Sequence, residues 1–304
     1  MNHRKLKFTN HHSPITIHGF TLIELLIVIA VLGILTVGVL IALNVTGTIG
    51  KTNLAKVKTF AASVENDLSI NQVGKWSFED FANPGKDTSG YGNNATNNEA
   101  TWQTAEECGL GFGGCLQFDG ENSYLEAASQ FGDQDFKTTP FTIALWVNPS
   151  AMSSLYPLIY IGNTDTNKFT LQLLIRNNPD SPIFVNWHRG ASPVGRVDIR
   201  STALLLPQNA WSHIVITHNG TEPSITSSKI YFNGNNVKVA LDYGSWGFTK
   251  VNIVRIGAGG SLNEFFPGRI DEVAIYKEAL TSYQIQQLYA QGLPRHQLAK
   301  QVGK

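Results

Sequence analysis

The hydrophobic pattern of the chain changes twice along its length. From Phe20 to Leu43 it has no period: twenty-four residues are apolar or small, interrupted only by Thr21, Glu24 and Thr36. A bilayer core about 30 Å thick is crossed by about 20 residues of helix, so this run predicts a transmembrane helix. From Asn53 to Ile70 the apolar residues Leu54, Val57, Phe60, Ala61, Val64 and Leu68 recur at spacings of three and four, which predicts an amphipathic helix. No proline separates the two segments. They predict one continuous helix from Phe20 to about Ile70, about 75 Å long at 1.5 Å per residue.

After Gly74 the period becomes two. "FTIALWVNP" alternates Phe141, Ile143, Leu145 and Val147 against Thr142, Ala144 and Trp146. "FTLQLLIR" alternates Phe169, Leu171, Leu173 and Ile175 against Thr170, Gln172, Leu174 and Arg176. Such alternation marks strands with one face in a core. Asn233-Gly234 between the apolar runs of "IYFNGNNVKV" predicts a hairpin. "CLQFDG", "PLIYIG", "IFVNWH", "WSHIVITH", "VNIVRIG" and "RIDEVAIY" read as further strands, whereas the Asn-rich "YGNNATNNEATW" reads as a solvated loop. Many short strands without intervening helices predict a two-sheet sandwich. The capping box Thr281-Ser282-Tyr283-Gln284 opens a last helix, with Ile285, Leu288 and Tyr289 on its apolar face. The expected fold is therefore α+β: a long N-terminal helix, then a mainly β sandwich. Its segments are 1–19, 20–43 (span), 44–73 (stalk and linker), 74–292 (sandwich) and a polar, frayed tail at 293–304.

Composition sharpens this picture. The formal net charge is zero, which gives no reason to expect nucleic acid as a partner. The charge is uneven. Arg4, Lys5 and Lys7 are the only charged side chains before Phe20, and without them twenty basic residues face twenty-three acidic ones, a net charge of −3. Four of the eight histidines lie before Phe20, and the others show no zinc-ligand spacing. His213 and His218, five apart on one expected strand, would face opposite ways. Cys108 and Cys115 close a short loop, "CGLGFGGC", whose glycines let it bend to disulfide geometry, as an oxidising compartment would favour.

One position disturbs the apolar run. A carboxylate in hydrocarbon costs about 2.5 kcal/mol or more, so Glu24 implies a partner that a plain anchor does not supply. Gly19-Phe20-Thr21-Leu22-Ile23-Glu24 resembles the cleavage and assembly motif of type IV prepilins and pseudopilins. The resemblance implies that a prepilin peptidase removes the leader at Gly19–Phe20, that the new Phe20 amine is methylated, and that Glu24 pairs with the amine of a neighbouring subunit. Two buried opposite charges tolerate a low dielectric only together. It also implies a single-pass protein of the inner membrane, its C-terminal part outside the cytoplasm, assembling with other pilin subunits into a surface filament or pseudopilus. The helix-bending proline of many major pilins is absent around Val39-Leu40-Ile41-Ala42.

The region from Lys75 to Ala290 carries a second resemblance. "KWSFED…DTSGYGNNAT", "GGCLQFDGENSYLE", "PFTIALWVNP", "NAWSHIVITHNG", "IYFNG" and "FPGRIDEVAIYKEALTSYQIQQLY" follow one another as in laminin-G-like, concanavalin A-like jelly rolls. That family implies an adhesive or carbohydrate-binding head. It also implies a structural calcium held by Asp87, Asp271 and the carbonyl of Gly92. The same architecture hosts glucanases, but the alternating Glu-x-Asp-x-Glu of those enzymes is missing; Asp271 and Glu272 are adjacent and would face opposite ways, and Glu121 and Glu126 flank a turn. A non-enzymatic subunit is expected. The alternatives are a membrane-tethered carbohydrate-active enzyme and a purely structural pseudopilin without ligand. Trp76, Trp146 and Trp211 are expected to fill the sandwich, while Trp102, Trp187 and Trp246 lie nearer turns, where they could meet a sugar.

Overall fold

In the computed structural model, residue 59 and residues 68–296 are described, apart from short breaks of which the longest are 164–169, 189–195 and 243–250. Gly19, Phe20, Glu24, the predicted span and most of the stalk lie outside the described residues. Among the described residues, no helix is long and apolar enough to cross a membrane.

Two antiparallel sheets of eight strands form the head. The first runs in the order β13 (Asn235–Val237), β12 (Ser228–Phe232), β11 (Ser212–His218), β6 (Phe141–Pro149), β16 (Pro267–Tyr276), β4 (Gly114–Asp119) and β3 (Thr101–Thr104), and β1 (Gln72–Trp76) also pairs with β16. The second runs β14 (Val239–Asp242), β10 (Arg196–Ser201), β9 (Ile183–His188), β8 (Thr170–Arg176), β7 (Leu155–Gly162), β15 (Ile253–Ile256), β5 (Tyr124–Ala128) and β2 (Ala95–Asn98). Among the described residues, α1 (Ala105–Cys108) and α2 (Ser282–His296) accompany them.

Alternation places the core. Ile143, Leu145 and Val147 of β6, Ile214 and Ile216 of β11, and Leu171, Leu173 and Ile175 of β8 all enter one cluster between the sheets. Fully burying each such side chain is worth about 1.5–3 kcal/mol. The β12–β13 hairpin turns at Asn233 and Gly234, both with positive φ (49° and 78°), as the Asn-Gly signal predicts. His213 and His218 do face opposite ways: His218 stands among Phe141 and Trp187 of the core, and His213 lies on the outer face against Trp146.

The outer face of the first sheet is also buried. Ala144, Val215, Tyr231, Ala274 and Tyr276 form a second layer with Leu280 and Ile285, and Leu288 of α2 packs on it. Leu68, helical and 4% exposed, joins the same layer, so the chain enters the head beside α2. Thr281 caps α2 as its capping box requires: its amide donates to Gln284 Oε1 at 2.8 Å, and the Gln284 amide returns to Thr281 Oγ1 at 3.3 Å.

Four expectations need correction. The Asn-rich stretch is not merely a loop; β2 lies within it and β3 begins in it, as edge strands, which need one partner each and tolerate polar side chains. Trp187, assigned to a turn, is fully buried between the sheets. Trp146 and Trp211 are buried, but in a cluster with Cys108, Leu110 and Cys115 rather than in the sandwich. The tail does not fray at 293: α2 continues through Pro294 to His296, and Arg295 and His296 are buried.

Candidate functional site

Cross-strand register sets one row of side chains on the outer face of the first sheet. His213 of β11 stands opposite Trp146 of β6, and Trp146 opposite Asp271 of β16. The end of α2 closes over this row. The His296 ring stacks on Trp146 with centroids 4.1 Å apart, and Tyr289 stacks on the same indole at 5.7 Å. Gly292 permits that approach, because a Cβ there would lie 2.4 Å from Trp146 Nε1.

Beneath α2 sits a buried charge cluster. Asp271 is fully buried; its Oδ2 forms an ion pair with Arg295 Nη2 and contacts His296 Nε2, each at 2.8 Å, and its Oδ1 accepts from the Glu272 amide at 2.9 Å. Arg295 Nη1 also donates to Glu272 Oε1 at 2.9 Å and to Glu79, and Nη2 reaches the Gly114 carbonyl. Asp271 and Glu272 thus do not diverge as their adjacency suggested. A bulge follows Asp271, and Glu272 takes a φ of 52°, which turns both carboxylates toward one guanidinium.

The protonation of this cluster follows from its geometry. His296 Nδ1 lies 2.9 Å from the Gly292 carbonyl, which can only accept, so Nδ1 carries a proton. A second proton must then lie between Nε2 and Asp271 Oδ2. Burial, opposed by Arg295, pushes Asp271 up to about 7; burial, reinforced by Arg295, pushes His296 down to about 3. Both shifts put the shared proton on Asp271. Burial also drives His213 down to about 3, with His296 reinforcing the effect, so that imidazole is neutral.

A pocket of about 350 Å³ opens beside the cluster, between the sheet and α2; Lys75, Glu79, His213, Glu272 and Gln291 are among its lining residues. Nothing in the sequence pattern marked it, because its walls come from β1, β6, β11, β16 and α2. The sole hint was "RIDEV", whose paired acids were noted without their cation.

The other expected site residues fall as follows. Cys108 and Cys115 form a disulfide, with sulfurs 2.08 Å apart. On the loop-entropy picture so short a loop contributes about 2–3 kcal/mol. It clamps the end of α2, because the Gly111 amide donates to the Arg295 carbonyl and Trp211 Nε1 to the Cys108 carbonyl. Asp87 and Asp271, the expected calcium ligands, both have protein partners. Asp87 accepts from the amides of Lys75, Ser89 and Asn93 and from the Ser89 hydroxyl, two donors on each oxygen, which fills its lone-pair sites. Asp271 is already paired with a guanidinium. Gly92, with a φ of 75°, is a turn residue. Among the described residues no group of three or more His, Cys, Asp or Glu side chains is placed to hold a metal. A melting temperature that rises with calcium relative to a chelator, and a rise that Asp87→Ala abolishes, would establish the calcium site; an unchanged melt would leave Asp87 as a turn residue.

Comparison with known proteins agrees with the fold. Residues 119–286 match the concanavalin A-like lectin/glucanases superfamily, as a laminin G domain, and residues 16–40 match the prokaryotic N-terminal methylation motif. Among solved structures, domain 4 of AbnA, a GH43 extracellular arabinanase from Geobacillus stearothermophilus in complex with arabinotriose, superposes with a TM-score of 0.52 at 18% identity, over 72% of this chain and 98% of that one. The binding domain of botulinum neurotoxin serotype D gives 0.52 at 15% identity, over 74% and 52%. That of Paraclostridial Mosquitocidal Protein 1 gives 0.52 at 18%, over 73% and 52%. The match thus spans about half the length of the toxin domains, and at such identities the likeness is one of fold. A search of the curated proteins finds no match.

Proposed function

Because the chain belongs to the concanavalin A-like lectin/glucanases superfamily and carries the prokaryotic N-terminal methylation motif, we propose that it is a type IV pilin-like subunit whose head is displayed outside the cytoplasm to bind glycans or mediate adhesion. The observation that carries this reading is the joining of the two in one chain: an assembly motif at residues 16–40 and a disulfide-bonded sandwich beyond it. The disulfide suits a head that folds after export. A glycan as ligand is supported by the arabinotriose complex of the AbnA domain, which shares this fold.

The head is read as non-catalytic. Glycoside hydrolysis needs one carboxyl group as acid and a second as nucleophile or base. The acids nearest one another, Glu79, Asp271 and Glu272, converge on Arg295, and Glu126 is held by Arg255 at 2.7 Å. Arg295 bridges these carboxyl groups, so the gap that a glycosidic bond would occupy between acid and nucleophile is already filled.

Filament isolation tests the proposal. The chain is expected in sheared surface filaments, and its intact mass is expected to show cleavage at Gly19–Phe20. Glu24→Ala is expected to be cleaved but left out of filaments. A full-length mass, or normal incorporation of Glu24→Ala, would overturn the pilin role. Release of sugar from a polysaccharide panel would favour the enzyme instead.

A further inference from the structure

The pocket under α2 combines features that one ligand class would satisfy together. Two carboxylates stand at it, Glu79 and Glu272, with side chains 46% and 31% exposed; each is paired to Arg295 through Oε1. Lys75 supplies a cation, and Gln291 an amide that both donates and accepts. His213 lines the same pocket; it is 3% exposed, and its Nδ1 is buried without a hydrogen-bond partner among the described residues. Leaving a buried polar atom unpaired costs about 1–3 kcal/mol, so the site is incomplete as it stands.

We propose that this pocket is a carbohydrate-binding site that takes the hydroxyls of one neutral sugar unit. Sugar hydroxyls both donate and accept. They match paired carboxylates, an amide, an ammonium and a neutral imidazole better than an anion or a cation, either of which would meet charges of its own sign. A pocket of this size falls within the ordinary range for small-ligand sites. The inference rests on the glycan-binding reading and locates it.

The test uses the full-length chain in detergent, with glucose, galactose, N-acetylglucosamine and arabinotriose as probes, followed by saturation-transfer NMR and calorimetry. At least one probe is expected to bind saturably. Glu79→Gln and Gln291→Trp, the second filling the pocket from α2, are each expected to raise its Kd about tenfold or more, which is about 1.4 kcal/mol. Binding unchanged in both variants would overturn the site and leave the glycan reading standing. Failure of every probe to bind the unaltered chain would also overturn the site. Filaments that bind nothing on a glycan array would overturn the reading beneath it.

Discussion

Arg295→Ala destabilises the head by about 3–5 kcal/mol at pH 8, the range found when one partner of a buried ion pair is removed. Arg295 is 3% exposed and binds Asp271, Glu272, Glu79 and the Gly114 carbonyl at once. Without it, Asp271 stays fully buried with only His296 and one amide as partners. The carboxyl escapes part of this cost by keeping its proton, so the loss is smaller at pH 6 than at pH 8. All six tryptophans lie in the head, and their fluorescence during denaturant unfolding of the full-length chain reads the change. A loss below about 1 kcal/mol, or one independent of pH, would refute this account. Asp271→Leu combined with Arg295→Met, which removes both charges, is expected to recover most of the stability.

The second large effect is a loss of stability in mild acid. His213 has a folded pKa of about 3 because it is buried and because His296 lies near. An unfolded histidine takes up its proton near pH 6.5. The unfolded chain therefore binds more protons below 6.5, and stability, complete above that value, falls as the pH drops. The slope is about 1.4 kcal/mol per pH unit, or about 2 kcal/mol between pH 6.5 and 5. Asp271 and His296 add almost nothing in this window. Folded, the pair holds its shared proton on Asp271; unfolded, it holds one on His296, and the counts cancel. His213→Gln should flatten the pH dependence even if it lowers stability at pH 7. A slope that survives this change would shift the effect to other groups.

The strands were legible because alternation is a local property. β9 coincides with "IFVNWH", and β6 shows the period of two over its whole length. The capping box at Thr281 and the Asn233-Gly234 turn were readable for the same reason. What escaped was long-range. Arg295 and His296 looked like the polar end of a fraying helix because the partner that orders them, Asp271, lies more than twenty residues upstream on another element. Trp146 belonged to the face facing away from the core, as its alternation indicated; only the arrival of α2 made that face a second interior. The edge strands β2 and β3 were hidden by asparagines, which a strand with a single neighbour can carry. The pocket draws its walls from five elements, and no window of sequence contains it.

The place of β16 in the first sheet bears on the order in which the chain is made. This strand is the last of the sixteen, yet it lies between β6 and β4 and pairs with β1 as well. Until residues 267–276 have been synthesised, β6 has only β11 beside it, and β1 and the inner side of β4 have no partner in the sheet. The charge cluster is completed later still, when Arg295 and His296 arrive. Chains fold from the N-terminus as they emerge, at about 5–20 residues per second, and unpaired strand edges are prone to aggregate. A nascent head therefore waits, open-edged, for β16 and α2, and a chain cut short before α2 has no means of closing the face on which Leu68 packs.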